Sequence, residues 1–187
     1  MANCSPKRVM LWMHPRTMST VFELSLASRT ETKVFHELYA LAYDYGDERD
    51  SKYKDLEWAI EGYTVKDVIK TLEADYPGKD VILCKDVALC LKGNYDCLPK
   101  GYIHTFLIRD PRRSITSLWK ILKGLNLPPD MLPPTGGVKQ LHNLHNNVTN
   151  TLSQKSIIID ASDLVNQPEK IIRKYCEAVE IPYAIAT

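Results

Sequence analysis

Short apolar runs that alternate with stretches of helical spacing constrain the fold of this chain more than any other feature of its 187 residues. Runs at 9–13, 81–84, 103–108 and 157–159 have the length and composition of buried strands, and a shorter β-prone segment lies at 34–35. Strands that alternate with helices form a parallel sheet joined by crossover helices. The sequence therefore predicts an α/β fold, with a three-layer architecture in which helices flank a parallel β-sheet.

The segments between these runs carry apolar residues three and four positions apart, which predicts amphipathic helices. We expect these helices within residues 22–27, 65–72, 111–122, 138–152 and 168–179.

Two stretches lack this pattern. Residues 38–63 are rich in tyrosine and charge, and we interpret them as a substrate-side insertion that is mobile or partly helical. Residues 125–137 hold four prolines and two glycines, which predicts a loop. The length is enough for a sizeable core, so we expect a single domain over residues 1–187.

Composition and charge exclude several classes of function. A net charge of +1 argues against nucleic-acid binding by bulk electrostatics. No stretch approaches the roughly 18 apolar residues of a membrane helix, and the first residues form no apolar leader, so we expect neither membrane insertion nor secretion. The five cysteines are odd in number and lack metal-ligand spacing. This pattern favours reduced thiols in a cytoplasmic protein without a metal site.

The turn between the first strand and the first helix has the sequence His14-Pro15-Arg16-Thr17-Met18-Ser19-Thr20. A strand–turn–helix unit directs free backbone N–H groups and the positive end of the helix dipole into one crevice. Arg16 adds a full positive charge and three hydroxyls add donors, so phosphate is the anion that fits this turn best. The alternative is an ordinary turn in which a hydroxyl caps the helix and Arg16 is solvated. The Gly-rich, Lys-containing loop of ATP-binding proteins is absent.

Charged residues follow four of the predicted strands. They are Arg16 after the first strand, Glu37 after the second, Lys85 and Asp86 after the third, and Arg109 after the fourth. In open α/β sheets, ligands bind beyond the carboxyl ends of the strands. The sequence therefore predicts an anion-binding crevice at this edge of the sheet.

A second stretch points to a second phosphate. Arg109 and Ser117 are eight residues apart, so a strand end and the second turn of the following helix can hold one anion between them. The alternative is that Arg109 pairs with Asp110 while Ser117 only packs. We expect Arg112 and Arg113 to be solvated.

Together these stretches resemble the sulfotransferase family that uses 3′-phosphoadenosine 5′-phosphosulfate as donor, over about residues 8 to 182. In that family a turn of the form P-[KR]-x-x-[ST]-[ST] binds the 5′-phosphate, and this chain has Met18 where most members have glycine. An arginine at a strand end and a serine eight residues later grip the 3′-phosphate. The resemblance implies these nucleotide-binding residues: Pro15, Arg16, Thr17, Met18, Ser19, Thr20, Arg109 and Ser117.

The resemblance also implies a P-loop NTPase-like architecture and a reaction, the transfer of a sulfuryl group to a hydroxyl or amine of a small-molecule acceptor, without a metal. Arg16 and Lys85 would stabilise charge on the leaving phosphate. Glu37 is the first candidate for the catalytic base, Asp86 the second and His36 the third.

Three points stay open at the level of sequence. The chain stops before the basic or Gly-containing segment with which family members close over the 3′-phosphate, so it is truncated, naturally short or closed in another way. A catalytically silent nucleotide-phosphate-binding module and, less favoured, a P-loop kinase are the alternative functions. The sequence predicts neither the acceptor nor the oligomeric state.

Overall fold

A parallel five-stranded sheet with the strand order β2-β3-β1-β4-β5 forms the centre of the molecule. The structure, a computed structural model, describes residues 5–27, 30–49, 59–127 and 135–183. The strands are β1 (Lys7–Met13), β2 (Thr32–His36), β3 (Val81–Val87), β4 (Ile103–Ile108) and β5 (Ile158–Asp160). Because every pair is parallel, all carboxyl ends lie along one edge of the sheet.

Seven α-helices connect and flank the strands within the described ranges. They are α1 (Ser19–Ala27), α2 (Leu38–Tyr45), α3 (Val65–Glu73), α4 (Pro111–Gly124), α5 (Val138–Asn150), α6 (Ala161–Asn166) and α7 (Pro168–Ala178). Two short 3₁₀ helices, Ala88–Leu91 and Tyr95–Cys97, follow β3.

Helices α1 and α7 cover one face of the sheet and α5 the other. Neighbouring side chains in a strand point to opposite faces, so two residues of β4 identify the layers. The hydroxyl of Thr105 lies 3.0 Å from that of Tyr175 in α7, and the ring of Phe22 in α1 packs edge-on against Tyr175. The ring of Phe106 instead packs against His145 of α5, with 5.1 Å between ring centroids.

Helices α2 and α3 share the face of α5. Trp12 pairs in register with Phe106, and its ring lies 5.6 Å from that of Tyr39 in α2. Arg8, four residues before Trp12 and therefore on the same face, donates to the carbonyl oxygen of Ala74 at the end of α3 at 2.8 Å. The predicted three-layer α/β fold is confirmed.

The predicted strands and helices are confirmed, with two differences that matter for the site. Strand β3 pairs with β1 as far as Val87, so Lys85 and Asp86 lie inside the strand rather than after it. The second difference is α2, which begins directly after Glu37 within the stretch interpreted as an insertion. Residues 50–58 of that stretch lie outside the described residues, and its substrate-side role stays a prediction.

Helix α4 begins as its sequence predicts, with Pro111 at the first helical position. The carboxylate of Asp110 caps the helix by accepting from the backbone N–H of Arg112 at 2.9 Å, and it also pairs with the Arg112 side chain. Arg109 donates instead to the Arg16 carbonyl oxygen at 2.8 Å, and the described residues show no ion pair between Arg109 and Asp110.

Four described cysteines are buried: Cys84, Cys90, Cys97 and Cys176. Burial raises the pKa of the Cys84 thiol well above its ordinary value, which keeps it protonated and inert. None of the helices in the described part of the chain is long and apolar enough to cross a bilayer.

Candidate active site

The turn after β1 adopts a backbone conformation that favours glycine. Arg16 has φ 71° and Met18 has φ 69°, while Thr17 between them has a negative φ. Alternation of this kind turns neighbouring amide groups toward a common side and forms an anion-binding concavity. The left-handed conformation costs a residue with a side chain roughly 1–2 kcal/mol, which explains why glycine suits the position of Met18.

Thr17 lies at the bottom of this turn. The residue is fully buried, and its Oγ1 has no hydrogen-bond partner among the described residues. A buried hydroxyl without a partner is costly, and a ligand oxygen would relieve that cost. Ser19, also buried, and Thr20, which is exposed, begin α1 next to it.

The two predicted phosphate-binding stretches meet at this turn. Arg16 Nε donates to Ser117 Oγ at 3.1 Å, and an Arg109 guanidinium nitrogen donates to the Arg16 carbonyl oxygen at 2.8 Å. These bonds join the end of β1, the end of β4 and the second turn of α4. Arg112, by contrast, keeps a side chain that is 90% exposed.

Lys85 lies fully buried in β3, between two carboxylates. Its Nζ donates to Glu37 Oε1 at 2.5 Å and lies 3.8 Å from Glu23 Oε2. A buried ammonium must be paired, because its transfer out of water is otherwise very costly. Lys85 pairs in register with Leu11 of β1, two residues before the end of that strand.

Glu37 occupies the junction between β2 and α2 in a left-handed conformation, with φ 55° and ψ 47°. Its backbone N–H donates to the Lys85 carbonyl oxygen at 2.8 Å, which extends the β2–β3 pairing by one residue. The side chain is one-third exposed, so its carboxylate contacts both Lys85 and solvent. An unfavourable backbone conformation that the surroundings maintain is common at functional sites.

Asp86 faces α2 and holds its first turn. Its carboxylate oxygens accept from the backbone N–H groups of Tyr39 at 2.6 Å, Ala40 at 3.1 Å and Val87 at 2.8 Å. Burial raises the pKa of Asp86 to about 7, although the three N–H groups act in the opposite direction. Both carboxylate oxygens of Asp86 are thus engaged by the backbone, whereas the Glu37 side chain is one-third exposed.

Glu23 is the residue of this site that the sequence reasoning missed. It lies on α1 with only 4% of its surface exposed, and its Oε2 is 2.7 Å from His36 Nδ1. The signal was an acidic residue next to Phe22 and three positions before Leu26, both of which are buried. A carboxylate on the buried stripe of a helix is unusual unless it is paired.

Two other histidines, His145 and His14, lie outside the Lys85–Glu37 cluster. His145 Nε2 lies 2.8 Å from Ser156 Oγ. Within the described ranges, no group of three or more His, Cys, Asp or Glu could hold a metal ion. Burial lowers the pKa of His14, which immediately precedes the turn.

A small cavity of about 120 Å³ opens beside the turn, between Met18, two arginines of the β4–α4 region and helix α6. Its lining includes Arg109, Arg113 and Val165. Val165 is 60% exposed. The cavity lining therefore combines two arginines with an exposed apolar side chain.

Solved structures share this architecture. The sulfotransferase domain of the olefin synthase of Synechococcus PCC 7002 superposes with a TM-score of 0.64 and 14% identity, covering 98% of this chain and 77% of that domain. The sulfotransferase domain from the curacin biosynthetic pathway gives a TM-score of 0.60 and 17% identity, covering 96% of this chain and 75% of that domain.

Among curated proteins, the branched-chain-amino-acid aminotransferase-like protein 1 of Arabidopsis thaliana is 25% identical over 182 residues. The match covers 95% of this chain but only 31% of the relative, so the chain spans less than a third of that protein's length. No protein-family model matches the chain. The parallel sheet, its strand order and the likeness to solved sulfotransferase domains agree, and the chain has the P-loop sulfotransferase-like fold.

Proposed function

We propose that this protein is a sulfotransferase that moves a sulfuryl group from 3′-phosphoadenosine 5′-phosphosulfate to a hydroxyl or amine of a small molecule. The observation that carries the proposal is the placement of three groups on the carboxyl-end side of the sheet: the cationic turn of Arg16, the residues Arg109 and Ser117 that each bond to Arg16, and the Lys85–Glu37 ion pair. The first two suit two phosphates, and the third suits proton transfer beside a developing negative charge.

The residues of the turn fit the donor nucleotide. The buried Thr17 hydroxyl lacks a partner, and the concavity formed by Arg16 and Met18 suits the 5′-phosphate. Arg109 and Ser117 would hold the 3′-phosphate, and the exposed Val165, which lines the same cavity as Arg109, would pack against the nucleoside. When bound, the donor supplies a sulfuryl group whose bond to the phosphate oxygen breaks during transfer.

Glu37 would accept the acceptor's proton as that group is transferred. Its carboxylate is partly exposed and lies at the end of β2, whereas that of Asp86 is engaged by three backbone N–H groups. Protonation would remove the charge that binds Lys85 to Glu37. The Lys85 ammonium would then be free to stabilise negative charge on the leaving phosphate together with Arg16.

The kinase alternative lacks its usual apparatus, since no lysine precedes Ser19 and no glycine lies between His14 and Val21. A silent nucleotide-binding module would share the phosphate contacts but not the transfer. The two remaining functions therefore differ in turnover and not in binding.

Calorimetric titration with adenosine 3′,5′-bisphosphate, and separately with ATP and Mg²⁺, tests the binding half of the proposal. We expect the bisphosphate to bind and ATP to bind much more weakly, because ATP carries no 3′-phosphate for Arg109 and Ser117. Equal affinities would favour the kinase. A screen of hydroxyl and amine acceptors with labelled donor tests the transfer.

Glu37→Gln is the matched variant for this screen, because it keeps size and most hydrogen bonds but cannot take a proton. It should bind the bisphosphate normally and lose roughly 10²–10⁴-fold in turnover. Clear bisphosphate binding without transfer to any acceptor by the unmodified protein would favour the silent module.

A further inference from the structure

A chain of three side chains leads from the proposed base to solvent. His36 Nδ1 lies 2.7 Å from Glu23 Oε2, and His36 Nε2 lies 3.8 Å from Glu37 Oε1. The side chain of Glu23 is 5% exposed, that of Glu37 33% and that of His36 55%. The imidazole thus lies between a buried and a partly exposed carboxylate, with one side open to water.

The contact with Glu23 determines which ring nitrogen carries the proton. An ionised carboxylate can only accept hydrogen bonds, so His36 Nδ1 must donate to Glu23 Oε2. In the neutral ring, Nε2 then has a free lone pair, and this is the nitrogen on the side of Glu37. The 3.8 Å between Nε2 and Glu37 Oε1 is too long for a direct hydrogen bond, so one bridging water would carry a proton from Glu37 to this lone pair.

Glu23 has a cationic neighbour in the buried layer and one oxygen without a hydrogen bond among the described residues. The Lys85 ammonium lies 3.8 Å from Glu23 Oε2 and shares the fully buried space between β3 and α1. The other oxygen, Glu23 Oε1, is buried and makes no hydrogen bond to any described residue. Burial of a carboxylate on an apolar stripe, next to Phe22, costs free energy. We therefore infer that Glu23 has a role other than packing.

We propose that Glu37 and His36 form a proton relay to solvent and that Glu23 is the positioning residue that orients it. This inference rests on the proposed function, in which Glu37 takes the acceptor's proton. The O–H or N–H bond of the acceptor breaks as its bond to sulfur forms, and the proton passes to Glu37.

The second step restores the base. The proton moves from Glu37 to His36 Nε2, which leaves a carboxylate and an imidazolium that Glu23 and the Glu37 carboxylate both stabilise. The imidazolium then releases the proton from Nε2 to water, which regenerates the neutral Nδ1–H ring, and no other reactant is consumed. The charged groups that face the imidazole are Glu23 from α1, Glu37 from the β2–α2 junction and, behind both, Lys85 from β3.

The tautomer of His36 can be measured without any turnover. Protein labelled with ¹⁵N at histidine, at about pH 8 and so above the ordinary imidazole value of about 6.5, reports which nitrogen is protonated. His36→Asn assigns the signal among the five histidines of the chain. We expect the Nδ1–H form in the unmodified protein and a shift toward Nε2–H in Glu23→Gln. The Nε2–H form in the unmodified protein would overturn the relay, whether or not sulfate transfer is found.

The relay itself is tested with the active protein and a working acceptor. His36→Ala should lower kcat by roughly 10²-fold, the lower end for proton transfer by a positioned side chain, with KM for the donor unchanged. Added imidazole should restore much of the rate to His36→Ala, because the site of the lost ring is open to water. Glu23→Gln should lower kcat in the same way.

His142→Ala is the control, since His142 is an exposed residue of α5 outside this cluster and should keep full kcat. Full kcat in His36→Ala, or a loss that imidazole does not restore, would overturn the relay. A complete absence of sulfate transfer would instead count against the proposed function, while the tautomer result stays valid.

Discussion

Three residues with side chains occupy left-handed backbone positions around one crevice: Arg16, Met18 and Glu37. In each of them the side chain makes the left-handed conformation unfavourable, whereas glycine adopts it freely. Each lies after the end of a strand. Arg16 and Glu37 use their side chains in the proposed chemistry, so glycine there would remove a charge. Met18 contributes only its backbone to the anion concavity, which makes it the residue where the conformational cost can be isolated.

Met18→Gly should therefore leave the protein as stable or up to about 1.5 kcal/mol more stable. The substitution removes a left-handed cost of about 1–2 kcal/mol and adds a glycine entropy cost of about 0.5–1 kcal/mol. Urea unfolding measures the difference, with Met18→Ala as the control that keeps the Cβ and the cost. If Met18→Gly were clearly less stable than Met18→Ala, the left-handed assignment at this position would be wrong.

At the scale of elements, the attachment of α2 to β3 decides where the crevice lies. Asp86 accepts from the N–H groups of Tyr39 and Ala40, and Tyr39 donates from its hydroxyl to the Cys97 carbonyl oxygen at 2.6 Å. These bonds hold the first turn of α2 against the sheet, directly after Glu37. A buried carboxyl that holds a helix should reveal itself through the pH dependence of stability.

The pKa of Asp86 is raised from 3.8 to about 7 by burial, so the folded protein binds a proton more tightly there than the unfolded chain. The contribution of Asp86 to the free energy of unfolding is complete below about pH 4 and is lost as pH rises to about 7. We expect the free energy of unfolding of the unmodified protein to fall relative to that of Asp86→Asn across this window. Denaturant unfolding at several pH values measures it. A gain relative to Asp86→Asn as pH rises would mean that the three N–H groups outweigh burial.

The elements that the sequence predicts well are those whose burial is continuous. Strand β4 was predicted with its observed bounds, because an unbroken apolar run has few alternatives in an α/β fold. Helix α6, with six residues, is too short to show a helical period and was not predicted. Helix α2 is held by a carboxylate from β3, a contact between distant residues that no local pattern reveals.

The candidate site likewise has features that the sequence predicts and features that it does not. The positions of Arg16 and Arg109 follow from strand ends, which parallel sheets bring to one edge. Lys85 instead lies inside β3, two residues before its end. The partners of these side chains do not follow, since Glu23 reaches the site from the buried side of α1 and pairs with a histidine thirteen residues later. Residue types and strand order predict where a site lies, whereas proton positions and ion pairs depend on packing between elements.

At the scale of the whole molecule, the crevice concentrates charge that the chain as a whole lacks. The net charge is +1, and yet the turn of β1 and the start of α4 bring Arg16, Arg109, Arg112 and Arg113 into one region. Only the first two are joined to each other, through a bond from Arg109 to the Arg16 carbonyl oxygen. Binding of a doubly phosphorylated nucleotide should therefore depend on position within the fold and not on the number of positive charges.

Arg16→Ala and Arg109→Ala should each weaken binding of adenosine 3′,5′-bisphosphate by about 1.5–3 kcal/mol, the range for charge-assisted hydrogen bonds. Arg112→Ala removes the same charge from a side chain that is 90% exposed and paired with Asp110, so it should cost far less. Calorimetric titration of the three variants at one ionic strength makes the comparison, and thermal unfolding without nucleotide checks that each is folded. An equal loss of binding free energy in all three variants would mean that binding depends only on the total positive charge of the cationic region. A larger loss in Arg112→Ala than in Arg109→Ala would place the 3′-phosphate on the outer side of α4, away from Ser117.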